Sequence, residues 1–485
     1  MLLVMLTWIF ASSLFVVFHS INDWLLRRRA PSGKKLPPMP PTSASRGHTE
    51  ILRADFDRKK YRQWTKEYGP VFRLRLNFTN IVVLNDYDSI KTYCDLKELL
   101  RRPPNFLGSC KAYPGILTLN GESWSANRNF CISMLRDVGF AKTPAEDRVM
   151  EEAERLVEQF RNTHGKPVDA LQYLNLYAFN EIASFFYGTR LPHDHPSRPQ
   201  LYQALQRANA ALKDGFKYTC HPRLLQKLLA LIPFTANGRL NKALQEMDAI
   251  TQQQVELYKT VKSGDKRNDF INHYLLGNIN HFFLVGTFNI AMVIHMHLIN
   301  FAMHHDTLQV RAHCEIDDSV GRDRRPTWED RKRMPFIQAC VWEGFRVHQF
   351  TAFEATRECV EDVVVGEYFI PKGTVVYPNK WASNHDPKRW RKPAKFDPSR
   401  YMSEDGSIIA PKAEQLATFS LGRRSCPGEM FATVEIFLAI TFLLQKYRIL
   451  LDEALDEDLD LRDIDRLRPN DLKLHFLPRQ AGSSS

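Results

Sequence analysis

Cys426 stands between Gly422 and Gly428, with Arg423 and Arg424 just upstream and an apolar stretch, Met430 to Leu444, behind it. The segment Phe419-Ser420-Leu421-Gly422-Arg423-Arg424-Ser425-Cys426-Pro427-Gly428-Glu429 reads as a loop that presents one sulfur at the N-terminus of a helix. Free N–H groups in a helix's first turn favour a thiolate. Glycine permits a positive φ or the close approach of something flat and bulky. Arg424 is placed to meet a negative group beside the sulfur. A thiolate with a flat, anionic partner describes a haem held by an axial cysteine. The competing reading is a buried cysteine in an ordinary loop.

Other residues have spacings that suit the same purpose. Trp124 and Arg128, four apart, share a helix face, and both can donate to a carboxylate. Glu343 and Arg346, three apart, can pair on another helix. The elements that must position them follow from periodicity. Lys60 to Tyr68 looks helical, and Val71–Leu76 with Asn80–Leu84 reads as a hairpin. Glu146 to Phe160 has helical spacing, and Pro167 to Val261 is mostly helical around a Pro/His-rich break at Leu191–Pro199. Asn268 to His304 reads as one long apolar helix. Its histidines, His281, His295 and His297, read as core or interface residues. After Cys359 come short strands at Val363–Val365, Tyr368–Ile370 and Gly373–Val376.

The chain has 485 residues, 44% of them hydrophobic, and a formal net charge of +11. That size supports a large core. The positive balance suits an anionic membrane or an acidic protein, and no segment reads as a nucleic-acid module. The eight cysteines are scattered, without CxxC or zinc-type spacing, which fits a reducing compartment. The sequon Asn77-Phe78-Thr79 matters only in a luminal domain. Met1 to Ser20 holds no Asp, Glu, Lys or Arg, and Leu2 to Phe18 is almost wholly apolar. It is at the short end of the ~20 residues that span a bilayer. Arg27–Arg29, Lys34 and Lys35 follow, which places that side in the cytosol. A cleaved signal peptide would want a basic start and a small-residue cleavage site. The expected division is a membrane anchor over residues 1–20, a basic and proline-rich hinge over 21–41, and a single domain over 42–485.

The cysteine segment resembles the haem-binding loop of the cytochrome P450 monooxygenases, whose fixed positions are filled by Phe419, Gly422, Arg424, Cys426 and Gly428. The resemblance covers roughly residues 61–448. Glu343 and Arg346 stand where the family has Glu-x-x-Arg, and Phe396–Tyr401 resembles the segment supplying its third partner, Arg400. Trp124 and Arg128 match the family's Trp-x-x-x-Arg, which binds a haem propionate. Arg357 lies eleven residues after Arg346, where animal microsomal members carry His or Arg. Leu135–Phe140 and Gly366–Gly373 look like the drug- and steroid-metabolising branch. The resemblance implies a mainly α domain with small β-sheets, the P450 fold, behind an N-terminal anchor at the endoplasmic reticulum membrane. It implies haem b (iron protoporphyrin IX) with Cys426 as axial ligand, held by Trp124, Arg128, Arg357, Phe419, Gly422, Arg424 and Gly428. NADPH-cytochrome P450 reductase, with cytochrome b5 as a possible second donor, would supply electrons, and one atom of O2 would enter a lipophilic substrate.

Two stretches depart from the family. Prolines expected before Arg357 are replaced in Phe350–Thr356, where Glu354 reads as solvated rather than substrate-reading. Over the haem, the family's acid–alcohol pair is replaced in Val285-Gly286-Thr287-Phe288-Asn289-Ile290. Gly286 is kept, Phe288 takes the acid position and Asn289 the alcohol position. Gly286, Thr287 and Asn289 are the distal catalytic candidates, with Thr287 on another helix face. Phenylalanine cannot relay a proton, so three readings follow: a monooxygenase with an ordered water on Asn289, a haem-thiolate isomerase or dehydratase, and a haem binder with little turnover. Tyr113, Ile116, Val285, Phe288 and Phe353 are pocket candidates. Steroid, fatty acid, terpenoid and xenobiotic substrates all fit an apolar pocket.

Overall fold

The computed structural model describes residues 2–42, 47–52, 59–76, 79–103, 114–137, 143–187, 193–219, 223–261, 268–348, 356–409, 415–452 and 472–479. Helix α1 (Leu2–Arg29) carries the apolar N-terminal segment and continues past Ser20 to Arg29. Charge does not stop a helix; Pro31 does, because the residue before a proline is pushed out of the α region. The hinge is therefore helical over 21–29 and extended only beyond it. Asp23 accepts from both terminal guanidinium nitrogens of Arg73 at 2.8 and 2.9 Å, and Arg29 meets Asp362 at 2.7 Å. These pairs fasten the end of α1 to the body.

Helix α2 (Lys59–Tyr68) leads into β1 (Val71–Leu76) and β2 (Thr79–Leu84), antiparallel with Val71 opposite Leu84. Helices α3 (Tyr87–Cys94), α4 (Gly121–Asp137), α5 (Thr143–Arg161) and α6 (Ala170–Tyr187) follow. After the break come α7 (Ser197–Thr219), α8 (Arg223–Leu231), α9 (Ala236–Val261) and α10 (Asn268–Met303). Helices α11 (Leu308–Ser319) and α12 (Pro335–Val347) complete the first run. The chain then turns to β3 (Arg357–Glu358), β4 (Val363–Val365), β5 (Tyr368–Ile370) and β6 (Val375–Pro378). Helices α13 (Lys380–Asn384) and α14 (Glu429–Lys446) and the hairpin β7 (Tyr447–Leu451) with β8 (Leu474–Pro478) end it. The described strands form one sheet in the order β1-β2-β6-β3 and two pairs, β4-β5 and β7-β8. The domain is mainly α with small sheets, as the sequence implied.

Helix α10 is long and apolar enough to cross a bilayer, but 67% of that stretch is buried inside the protein. Its apolarity is that of a core helix packed on several sides. One apolar cluster joins it to α5, α6, α11, α12 and α14, and a second joins it to α6, α7 and α9. Helix α6 approaches closely at Gly286: a Cβ there would lie 2.6 Å from Ile182 Cδ1, so the tip of that side chain would have to shift.

Inside the bundle, Glu181 on α6 and Glu435 on α14 are buried carboxylates; Glu181 Oε2 and both Glu435 oxygens have no hydrogen-bond partner. Burial, reinforced by the neighbouring acid Glu152, pushes Glu181 up to about 8, and burial beside Glu181 pushes Glu435 well above its ordinary value. A raised folded-state value means the folded protein holds the proton that the unfolded chain has released. Stability is therefore full below the unfolded value of 4.5 and falls as pH rises towards 8. Glu181→Gln, neutral and of the same size, is expected to raise the unfolding midpoint at pH 8 by about 2–4 °C and leave it unchanged near pH 4. An equal gain at both pH values in calorimetry would show that packing, not protonation, is responsible.

Candidate functional site

The cysteine loop is closed by its own backbone. Cys426 N–H donates to Phe419 O at 2.8 Å and Ser425 N–H to Gly422 O at 2.9 Å. Gly422 has φ +71°, and a Cβ there would strike Cys94 O at 2.5 Å and Asp95 Oδ1 at 2.6 Å. Its glycine answers to the end of α3, not to a flat partner. Gly428 is different: an added Cβ would meet only Cys426 Sγ, at 3.9 Å. It keeps the space beside the sulfur clear. Phe419 packs edge-on against Phe345 on α12 at 5.0 Å.

Cys426 Sγ opens onto a cavity of about 300 Å³. Protein surrounds the sulfur while the cavity itself leaves it accessible. Burial is the largest influence on the thiol and pushes its pKa up; the Gly428 N–H and the Lys380 and Arg128 cations oppose it, and Glu429 adds to it. The Gly428 N–H at the helix N-terminus favours the thiolate, as expected from sequence, and works against burial. A cation bonded to the sulfur is needed to hold it ionised.

Three buried or half-buried arginines, Arg102, Arg128 and Arg424, line this cavity on the cysteine side; Arg357 does not line it but lies near enough to repel Arg102 and Arg424. Arg128 on α4 donates to Ser425 O at 2.8 Å and Ser425 Oγ at 3.3 Å. Arg424 reaches Leu100 O, Leu119 O and Asn120 Oδ1 at 2.8, 2.7 and 2.9 Å, with its guanidinium 3.9 Å from the Trp124 ring centre. Arg357 donates to Cys94 O at 2.7 Å and Leu421 O at 2.8 Å. Arg102 donates to Thr356 O at 2.7 Å. Among the described residues, Arg128, Arg357 and Arg424 have no ion pair, and Arg424 Nη1 and Arg357 Nε are buried without an acceptor. Burial, then repulsion from Arg357 and Arg128, brings Arg424 down to about 9. Buried cations that repel one another suit an anionic ligand. Haem, with one axial position for sulfur and two propionates at one edge, fits this donor set. Arg102 was not singled out from sequence; its neighbours Arg101 and Pro103 give no signal.

Behind the loop, Glu343 and Arg346 are both 0% exposed and pair at 2.7 and 2.8 Å. Arg400 Nε reaches Glu343 Oε1 at 3.1 Å, and Asp397 N–H donates to the same oxygen at 2.8 Å. The network joins three segments, as the sequence implied.

The wall facing the loop is α10. Val285, Gly286, Phe288 and Asn289 line the cavity, as does Ile116. Thr287 does not: its side chain is fully buried, and Oγ1 has no partner. It is removed from the distal set because its helix face turns away from the cavity. Asn289 Nδ2 donates to Val285 O at 2.6 Å, which ties this side chain to its own helix one turn back. His297 is a core residue, its ring nitrogens near Val293 O at 2.7 Å and Val341 O at 3.4 Å, and His295 is fully buried. His281 is also buried, and it lines the cavity, as does Asn209 of α7. Lys380, Asn384 and Thr418 also line it. Helical period marks none of these, since tertiary approach brings them in. Tyr113, Phe353, Glu354 and the Asn77 sequon lie outside the described residues.

Residues 37–470 match the Cytochrome P450 family. Cytochrome P450 2C38 of Mus musculus is 30% identical over 450 residues, 88% of this chain and 90% of the relative. Cytochrome P450 2H2 of Gallus gallus is 29% identical over 448 residues, 87% of this chain and 89% of the relative. Cytochrome P450 1A1 of Cavia porcellus is 26% identical over 462 residues, 87% of each chain. A sulfur facing a cavity lined by arginines, on a mainly helical frame, agrees with this likeness along nearly the whole chain: the protein belongs to the cytochrome P450 family, the haem-thiolate monooxygenases.

Proposed function

We infer that this chain holds haem b on Cys426 and inserts one oxygen atom of O2 into a lipophilic substrate, with NADPH-derived electrons delivered by NADPH-cytochrome P450 reductase and cytochrome b5 as a second donor. The observation that carries this reading is the cavity itself: a lone sulfur with arginines around it on one side, the apolar face of α10 on the other. Haem bound there supplies reductive activation of dioxygen and oxygen insertion. The chain's own residues do the rest. Trp124, Arg128, Arg357 and Arg424 hold the propionates, with Arg102 beside them. Phe419, Gly422 and Gly428 shape the loop that aims the sulfur. Phe186, Phe282, Val285 and Phe288 exclude water and orient an apolar molecule. Having spent one N–H on Val285 O, Asn289 keeps its second N–H to donate to a water or to dioxygen, and Oδ1 to accept from a water.

Exposed apolar residues support a membrane setting, which we place at the endoplasmic reticulum with the domain over 42–485 in the cytosol and residues 1–20 as anchor. Val17, Phe18, Ile21, Trp24 and Leu25 are exposed along α1, and Leu225, Leu228, Leu231 and Phe234 are exposed at three-residue spacing on and after α8. An unpartnered stripe of this kind suits an interface between water and lipid. The exposed Arg423 beside the cysteine loop suits an acidic reductase surface.

The absence of an acid at Phe288, with Asn289 tied to its own helix, favours a second reading: rearrangement or dehydration of an oxygenated substrate, which draws no protons from this wall. Turnover under labelled dioxygen decides between them. The first reading expects one labelled atom per product and NADPH consumption that exceeds product, with hydrogen peroxide making up the difference. Phe288→Asp with Asn289→Thr is expected to reduce that leak about threefold or more, the ordinary scale for a positioned proton donor being larger still. Product without label, and indifferent to NADPH, would establish the second reading.

A further inference from the structure

We propose that the substrate is an elongated lipophile carrying an uncharged oxygen, a ketone or a hydroxyl, at the end remote from the reacting carbon, and that His281 Nε2–H binds that oxygen. The proposal rests on the monooxygenase reading above and gives its substrate class.

His281, Val285 and Asn289 recur at four-residue spacing and line the same cavity, so they share one face of α10. Eight residues of helix separate His281 from Asn289, about 12 Å along the axis. Asn289 marks the level of the chemistry and His281 the far end of the chamber. The ring of His281 is fixed by the turn at Gly115–Leu117. Leu117 N–H donates to Nδ1 at 3.4 Å, and a Cβ on Gly115 would lie 2.5 Å from that nitrogen. An accepting Nδ1 leaves the proton on Nε2, which makes it a donor. Among the described residues Nε2 has no hydrogen-bond partner, although only 3% of the residue is exposed. His297, on the same helix, shows the contrast: both its ring nitrogens lie near backbone carbonyls. A buried histidine with one satisfied and one open nitrogen, on a cavity wall, is built to receive a ligand.

The charge balance selects the ligand's oxygen. Burial alone lowers His281 to about 4, so the ring is neutral at physiological pH. The described cations that line the cavity, Arg102, Arg128, Arg346, Lys380 and Arg424, belong to the cysteine side or to the segments that hold it. Asn209, the other polar group at the distal end, makes no hydrogen bond among the described residues and is also uncharged. A carboxylate at this end would be buried without a cation, at a cost that disfavours a fatty-acid head group. A ketone or hydroxyl gains a hydrogen bond and leaves nothing charged behind.

The test uses the purified full-length haem protein and four probes: androstane, its A-ring ketone, its A-ring alcohol, and palmitate. Binding is read as the dissociation constant from the ligand-induced change in haem absorbance. The ketone and alcohol are expected to bind about five- to tenfold more tightly than androstane, the scale of one neutral hydrogen bond. His281→Leu should erase that ratio, and His281→Gln, which keeps an N–H donor, should retain part of it. Haem content confirms that each variant is folded. If His281→Leu loses haem, the wild-type ratio and His281→Gln decide. A ratio unchanged in the variants, palmitate binding more tightly than the ketone, or no binding of any probe overturns the proposal. Oxygen labelling of product is a separate readout, so loss of the ketone preference with label intact sinks this inference alone.

Discussion

Replacing Cys426 by histidine is expected to lower product formation per bound haem at least about a thousandfold, equal to about 4 kcal/mol of barrier. The sulfur is the anionic donor that the cavity presents to a metal, and thiolate ligation pushes electron density towards O–O cleavage. A neutral imidazole gives no such push. The histidine variant should still take up haem, because the arginines Arg128 and Arg424 that line the cavity are untouched. Gly428 matters here, since the space it leaves open at the sulfur admits the larger ring. Measuring haem and product in the same sample separates lost chemistry from lost cofactor. Retention of a tenth or more of wild-type turnover per haem would contradict the assignment of Cys426.

Replacing Arg346 by methionine is expected to destabilise the domain by ~3–5 kcal/mol and to yield protein largely without haem. The variant strands the buried Glu343 carboxylate with only Arg400 Nε and the Asp397 N–H for partners. It also takes a donor from three carbonyls, those of Asn384, Pro393 and Lys395, which Arg346 holds at 2.9, 2.7 and 3.1 Å; Lys395 O keeps Arg400 Nη2 at 3.3 Å. The effect reaches the sulfur through contacts that can be followed. Asn384 Nδ2 donates to Thr418 Oγ1 at 2.9 Å, and its Oδ1 accepts from Ala417 N–H at 3.0 Å. Thr418 Oγ1 donates to Phe345 O at 2.6 Å. The next residue is Phe419, whose carbonyl fixes the Cys426 N–H. Arg346 thus positions the loop without touching the chemistry. Arg346→Lys should also fail, because an ammonium cannot copy the two-pronged contact with Glu343. Wild-type haem content and unfolding midpoint in Arg346→Met would show that the pair is dispensable.

The proximal half of the site was legible in the sequence because fixed short spacings encode it. Trp124 with Arg128, Glu343 with Arg346, and the loop ending at Gly428 each lie within one local element, where spacing determines which side chains meet. The helices and the β1–β2 hairpin were legible by period. Helix α1 continues beyond the apolar segment to Arg29, and Pro31, not charge, ends it. The distal half was not legible, since tertiary approach decides it. Gly286 answers to Ile182 on another helix, and Thr287 turns into the core. His281 differs from His297 only in what stands next to it: the Gly115–Leu117 turn on one side and open space on the other. Arg102, Asn209 and Lys380 reach the cavity from segments far apart in the chain, and no local pattern marks them.

The absorption spectrum of the reduced, carbon monoxide-saturated full-length protein tests the central claim most directly. A Soret band displaced to the long wavelength of a thiolate-ligated haem is expected for the wild type, and its loss is expected in Cys426→His. A wild-type band at the position given by imidazole ligation, or the same band in both proteins, would contradict a haem held by Cys426.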